Sequence, residues 1–232
     1  MKVEFDDGFS LGKGAFETIK VVKGDPLFLR EHLNRLKNSL NFFGIEKEIN
    51  EEKIYDYIKN FEEKDFALKL IVSDENFILT GRKDSYRDEN KGFSLKISNV
   101  RRNSTSKIIY HKSLCYYENI LEHRWAVENG FDSALFLNER NEVCETSFAN
   151  IFFVREDKIY TPEISSGLLK GTMRDFILEN FEIVEEIINA KDLASFDECF
   201  ISNSLMGVRN VKAIDEIKFT GRDKTRKIQE KL

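Results

Sequence analysis

The chain is short of the residues that mark disulfide-stapled, metal-bound or membrane proteins. It has three cysteines in 232 residues, Cys115, Cys144 and Cys199, an odd number with no Cys-x-x-Cys pair. That excludes a regular disulfide framework, and with three scattered histidines it gives no zinc-ligand pattern. Reduced thiols, a cytoplasmic setting and no metal are the expectation. No apolar run approaches the roughly 18–20 residues that span a bilayer, so no membrane association is expected either. The opening "MKVEFDDGFS" is too acidic and too polar for a signal peptide. A net charge of −5 offers no broad footprint for nucleic acid. The basic cluster "GRDKTRKIQEK" is interleaved with acids, as a solvated helix face is. With only two prolines and no long Gly/Ser run, no linker announces itself by composition.

What remains is an ordinary globular composition, 41% hydrophobic and 33% charged, long enough to bury a core in one large domain or two small ones. Patterning along the chain alternates strands and helices. "AFETIKVV" reads as a strand, "KGDP" as a turn and "LFL" as a short strand. Leu33, Leu36, Leu40 and Phe43 follow at helical spacing, with Gly44 as the residue just past the helix end. A second helix is expected around "EEKIYDYIKNFEE", then strands at "FALKLIVSD", "NFILTGRK" and "GFSLKISNV". The polar stretch after Val100 is the best candidate for a connector, and an amphipathic helix is expected to start just after Lys112. Beyond it come the strand "SALFLN", a hairpin turning at "RED", the helix "TMRDFILEN", strands at "FEIVEEI", "ECFISNS" and "VKAIDEI", and a terminal helix. The fold class is therefore α/β (α+β), with a boundary at residues 101–110 between a smaller part, 1–100, and a larger one, 111–232.

Four features resist a purely structural explanation. Lys112, in "HKSLCYYENI", sits among Tyr110, Leu114, Tyr116 and Tyr117, at the expected loop-to-helix junction. A cation there opposes the helix dipole. An amine nucleophile must give up its proton, which desolvation or a neighbouring cation makes easier. By itself Lys112 reads more readily as a solvated surface charge than as a nucleophile. Glu145 lies between a turn and the aromatic strand "ANIFFV", where a buried carboxylate needs a partner and an exposed one does not. "GLLKGTMRDF" puts a glycine before a helix whose first amides can bind an anion, although most such junctions bind nothing. Arg35 falls in a strongly periodic helix, where a surface ion pair with Glu31 is the plain alternative.

Order and context connect these features. "GKGAFETIKVVKGDPLFLREHLNRLKNSL", the stretch from "HKSLCYYENI" to "IFFVREDKIYTP", "GLLKGTMRDFILE" and "ECFISNSLMGVRNV" resemble the successive motifs of class IV pyridoxal-phosphate aminotransferases. The resemblance runs from about Gly12 to Val211. It implies the two-domain fold type IV architecture, a small N-terminal α/β domain and a larger β-rich cofactor-binding domain with flanking helices. It also implies pyridoxal 5′-phosphate as cofactor, a small-molecule substrate and a homodimer.

By that resemblance Lys112 matches the Schiff-base lysine, and Glu145 the carboxylate that keeps the pyridine nitrogen protonated. Arg35 matches the phosphate-holding arginine. Thr172 and Met173 match the backbone phosphate cup, Ser204 a further phosphate contact, and Tyr116 the aromatic hydroxyl near the ring oxygen. Within the family "FETIK" and "NSLMGVRNV" look most like 4-amino-4-deoxychorismate lyase, which releases 4-aminobenzoate and pyruvate, a reaction of folate biosynthesis. Asn203 and Leu205 then match positions beside the substrate. Branched-chain or D-amino-acid aminotransferases, and a fold relative without catalysis, are the alternatives. The chain departs from the pattern at Ser73 and Asp74, where an arginine is frequent, at Cys115 (often asparagine), Lys170 (often proline) and Thr172 (often apolar). Arg82, Arg87, Arg101 and Arg102 are candidate substitutes for the missing arginine.

Overall fold

A computed structural model describes residues 2–83 and 92–232. Arg87 lies outside the described residues. The chain divides into two units, each with its own sheet: residues 2–83 with His111–Tyr116, and residues 92–110 with Tyr117–Leu232.

The first unit opens with the short helix α1 (Asp7–Leu11). Asp6 caps it through the amide of Phe9, and also accepts hydrogen bonds from Ser73 Oγ, the Glu75 amide and Asn76 Nδ2. Burial would raise the Asp6 pKa, but these donors outweigh it and hold the carboxyl well below the usual range. Next come β1 (Ala15–Val22), β2 (Asp25–Pro26), α2 (Leu29–Phe43), α3 (Glu51–Asn60), β3 (Phe66–Val72) and β4 (Phe77–Lys83). They form an antiparallel sheet in the order β2-β1-β3-β4. Leu29, Leu33, Leu36 and Leu40 of α2 and Ile54 and Ile58 of α3 pack with Ile19, Val21, Leu68 and Leu70 of the sheet. Gly44 ends α2 with φ of 66°, as its position predicted. The expected "LFL" strand does not form. Phe28 takes a left-handed conformation (φ 54°), which turns the chain so that Leu29 becomes the first helical residue.

The second unit contains β5 (Phe93–Arg102), α4 (Tyr117–Glu128), β6 (Ser133–Asn138), β7 (Val143–Thr146), β8 (Asn150–Arg155) and β9 (Lys158–Pro162). α5 (Thr172–Asn180), β10 (Ile183–Glu186), β11 (Glu198–Asn203), β12 (Gly207–Ile214), β13 (Ile217–Lys218) and α6 (Asp223–Gln229) complete it. Its nine-stranded sheet runs β10-β9-β8-β11-β12-β5-β6-β7, with β13 alongside β12. β6, β8 and β11 are buried along almost their whole lengths, and the middle of each is an apolar run without alternation.

Three further features depart from the sequence reading. The division expected at residues 101–110 falls partly inside β5, which runs to Arg102 and pairs in parallel with β12 and β6, so this strand belongs to the larger sheet. The helix expected just after Lys112 begins only at Tyr117, because the preceding residues are paired with β1. Nor does α4 have one apolar face: Tyr117, Leu121 and Val127 are exposed, and only Asn119 and Ala126 are buried.

The terminal helix is tied to the sheet by one buried carboxylate. Glu198, 3% exposed on β11, accepts the amides of Lys224 (3.2 Å) and Thr225 (2.7 Å) and the Thr225 hydroxyl (2.5 Å). It thereby caps the first turn of α6 from outside the helix. Glu198→Ala strands these donors and should lower stability by about 2 kcal/mol, read as a fall in the urea midpoint. An unchanged midpoint would show that the cap carries no load.

Candidate active site

The position of Lys112 is set by the main chain. The Phe16 amide donates to the Lys112 carbonyl (2.9 Å) and the Leu114 amide to the Gly14 carbonyl (3.0 Å), so residues 112–114 lie against the start of β1. His111 fixes the other end of the segment. Its ring stacks on Phe42 of α2 at 4.1 Å, and its Nδ1 lies 3.2 Å from Ser39 Oγ. The Lys112 ammonium then sits 4.6 Å from the Phe16 ring centre and 5.3 Å from that of Tyr116, with the two rings edge-on at 5.1 Å. The half-buried amine therefore has aromatic neighbours, as the sequence suggested, but it reaches them from an extended segment rather than a helix start.

Beneath it lies a buried charge cluster. Glu17, fully buried on β1, takes the Arg35 guanidinium in a two-pronged contact, Nε to Oε1 at 2.8 Å and Nη2 to Oε2 at 2.6 Å. His32 Nδ1 lies 2.7 Å from the same Oε2. The partner of Arg35 is thus Glu17 and not the helix neighbour Glu31, and neither Glu17 nor His32 was singled out from the sequence. The signal was available in "AFETIKVV", where Glu17 falls on the same alternating face as Ala15, Ile19 and Val21. Burial would raise the Glu17 pKa, but the Arg35 charge and the bonds from Arg35 and His32 bring it down to about 2. Burial depresses the His32 pKa, opposed by Glu17 and reinforced by the cations Arg35 and Lys112, both close enough to act on the ring.

The second unit carries the other candidates. Glu145 is 8% exposed on β7, so the exposed strand-end alternative is set aside. Its Oε2 accepts the Leu169 amide at 3.2 Å and lies 3.5 Å from Asn150 Nδ2, and its Oε1 lies 4.0 Å from Arg102 Nη2. Asn150 also donates to the Leu169 carbonyl (2.8 Å). It thus ties Glu145 to the loop that leads into α5. Gly171 caps that helix without a side-chain bond, and a Cβ there would meet Asn150 Oδ1 at 2.1 Å. Thr172 and Met173, buried in the first turn, follow directly. A buried carboxylate can accept a hydrogen bond from a cationic ring nitrogen, and a helix N-terminus close by can offer its free amides to an anion.

Ser204 is half-buried in the turn between β11 and β12. Asn203 shapes that turn: its Oδ1 accepts the amides of Leu205 and Met206, and its Nδ2 donates to the Phe148 carbonyl. Leu205 is buried.

Among the arginines proposed for a carboxylate, Arg82 and Arg101 are exposed. Arg102 is buried, with its guanidinium 3.8 Å from the centre of the Phe136 ring and bonded to Glu118 and Asn119. Cys144 and Cys199 are buried thiols whose pKa values burial pushes up, so they stay protonated. Among the described residues no helix is long and apolar enough to cross a membrane.

The sequence profile of amino-transferase class IV matches residues 14–214. The chain belongs to that family. Enzymes of the family depend on pyridoxal 5′-phosphate. An aminodeoxychorismate lyase of Bacillus subtilis (strain 168) is 27% identical over 93% of this chain and 82% of its own length. A Synechocystis protein assigned as a branched-chain-amino-acid aminotransferase is 30% identical over 88% of this chain and 73% of its own. A Legionella pneumophila structure assigned as a 4-amino-4-deoxychorismate lyase superposes with a TM-score of 0.92 at 28% identity, covering 100% of this chain and 94% of that one.

The acid limb of the stability curve should report the buried cluster. Both Glu17 and His32 have depressed pKa values, so both contribute stability that is present above their unfolded values and lost as pH falls. Stability should decline first below 6.5, where an unfolded histidine binds a proton that the buried ring refuses. It should decline again below 4.5, where unfolded Glu17 is protonated while folded Glu17 is not. Urea denaturation of His32→Gln should show a shallower first decline, and an identical slope would remove His32 from this account.

Proposed function

We propose that the chain is a pyridoxal-phosphate-dependent 4-amino-4-deoxychorismate lyase that releases 4-aminobenzoate and pyruvate, a step of folate biosynthesis in the cytoplasm. The observation that carries the reading is Lys112, an amine held by main-chain bonds against two aromatic rings in a chain of this family. The donor set fits the cofactor: a lysine amine, a buried carboxylate, an arginine, and a helix N-terminus capped by a glycine that has no room for a side chain. When bound, pyridoxal phosphate supplies an aldehyde and an electron-withdrawing ring.

Lys112 would be the residue that holds the cofactor at its aldehyde, and its amine would serve as the base that takes the proton from the substrate ring carbon. The same amine, or a water beside it, would protonate the departing enolpyruvyl group. Glu145 would pair with the ring nitrogen and keep it protonated, and Tyr116 would direct its hydroxyl to the ring oxygen. Arg35, the amides of Thr172 and Met173, and the Ser204 hydroxyl would hold the phosphate. Leu205 would lie beside the substrate. Asn203, whose polar atoms shape its own turn, would act by fixing the main chain there. A two-fold homodimer is the expected assembly on general grounds.

Names among the relatives support the lyase, in Bacillus subtilis and in the Legionella structure. The second reading, a branched-chain or D-amino-acid aminotransferase working with 2-oxo acids, is supported by the 30% identity to the Synechocystis protein. Both use the same lysine, carboxylate and phosphate site.

Supplied with chorismate, glutamine, an aminodeoxychorismate synthase and pyridoxal phosphate, the protein should produce 4-aminobenzoate and pyruvate in equal amounts. A rate no faster than without it, beside brisk transfer from a branched-chain amino acid to 2-oxoglutarate, would assign the aminotransferase. In either assay Glu145→Gln should lower kcat by on the order of a hundredfold, because a neutral partner no longer keeps the ring nitrogen protonated. Unchanged kcat would remove that role.

A further inference from the structure

We propose that Glu17 is a positioning residue: it aims the Arg35 guanidinium at the cofactor's phosphate. The inference rests on the reading of Arg35 given above and adds a residue to it. Glu17 engages one edge of the guanidinium, Nε with one Nη2 hydrogen, in a two-pronged contact. Arginine carries five N–H donors in one plane, so an edge clamped this way fixes the direction of the other, formed by Nη1 and the second Nη2 hydrogen. That second edge has the geometry that suits a phosphate.

The surroundings make Glu17 a rigid clamp. It is fully buried, while the Arg35 side chain is 15% exposed, so the carboxylate forms the base of the pair and the guanidinium reaches its rim. His32 holds Oε2 from a second direction at 2.7 Å, and its depressed pKa keeps the ring neutral, donating a hydrogen bond without adding a competing charge. Glu17 also directly follows Phe16, whose amide holds the Lys112 carbonyl and whose ring lies 4.6 Å from the Lys112 amine. One strand therefore sets the direction of the guanidinium and the place of the amine together.

A buried ion pair is a poor device for stability alone, since removing two charges from water costs about as much as their attraction returns. Orientation is what such a pair does better than an apolar contact.

The test uses the apoprotein and two probes that differ only in the phosphate, pyridoxal 5′-phosphate and pyridoxal, with both dissociation constants read from absorbance titrations. Glu17→Gln should weaken pyridoxal phosphate about tenfold and leave pyridoxal unchanged. Glu17→Asp keeps the charge but pulls it back from the fork, and should give a smaller loss of the same selective kind. Arg35→Ala serves as the reference and should abolish most of the preference for the phosphorylated probe. If Arg35→Ala removes the preference while both Glu17 variants keep it, Glu17 is not a positioning residue, although the phosphate reading stands. If Arg35→Ala keeps the preference, the phosphate reading fails and this inference with it. Should Glu17→Gln not fold, Glu17→Asp decides: equal weakening of both probes would mean general support of the fold and would overturn the proposal.

Discussion

Two backbone hydrogen bonds, Phe16 amide to Lys112 carbonyl and Leu114 amide to Gly14 carbonyl, are the constraint on which the rest of the site depends. They make His111–Tyr116 part of the first unit, although its chain neighbours on both sides belong to the second. A lysine has four rotatable bonds, and ordering it costs entropy. Strand-like pairing fixes its main chain and stacking on Phe42 fixes its neighbour His111, so the backbone share of that cost is met before any ligand arrives. The amine is then confined to the faces of Phe16 and Tyr116.

Three of the buried charges among the described residues follow one pattern. Glu17 is matched to Arg35 and His32, Arg174 to Glu185 and the Pro162 carbonyl, and Glu198 to the start of α6. Each joins a strand to a helix, where an apolar contact would allow sliding and a directional bond does not. Arg174 ties the first turn of α5 to β10, Glu145 reaches the loop before that turn, and Asn150 links the two. The helix N-terminus proposed to hold a phosphate is therefore fixed by side chains other than those assigned to the phosphate itself.

Much of this was legible in the sequence because local chemistry decided it. α5 spans Thr172–Asn180, the stretch read as a helix, since Gly171 precedes it and its periodicity is local. The β8–β9 hairpin turns at Glu156 and Asp157, both with positive φ, where the polar "RED" stood between apolar runs. Non-local decisions were hidden. β5 reads as a strand but not as a member of the larger sheet, because its partner β12 lies more than a hundred residues further on. The late start of α4 was hidden for the same reason, since only pairing with β1 holds residues 112–114 extended. The site residues found from the sequence came from family order. The missed ones, Glu17, His32 and Asn150, act on other side chains, and a linear pattern carries little trace of such contacts.

Lyase and aminotransferase share the cofactor, and the lysine, carboxylate and phosphate contacts proposed for this chain would serve either reaction. The proposed chemistry is anchored at Lys112. Its most direct test is borohydride reduction of the protein with pyridoxal phosphate, followed by peptide mass mapping. The account predicts one phosphopyridoxyl group, on Lys112, and none in Lys112→Ala treated identically. A stoichiometric adduct on any other lysine, or an undiminished adduct in the variant, would contradict it.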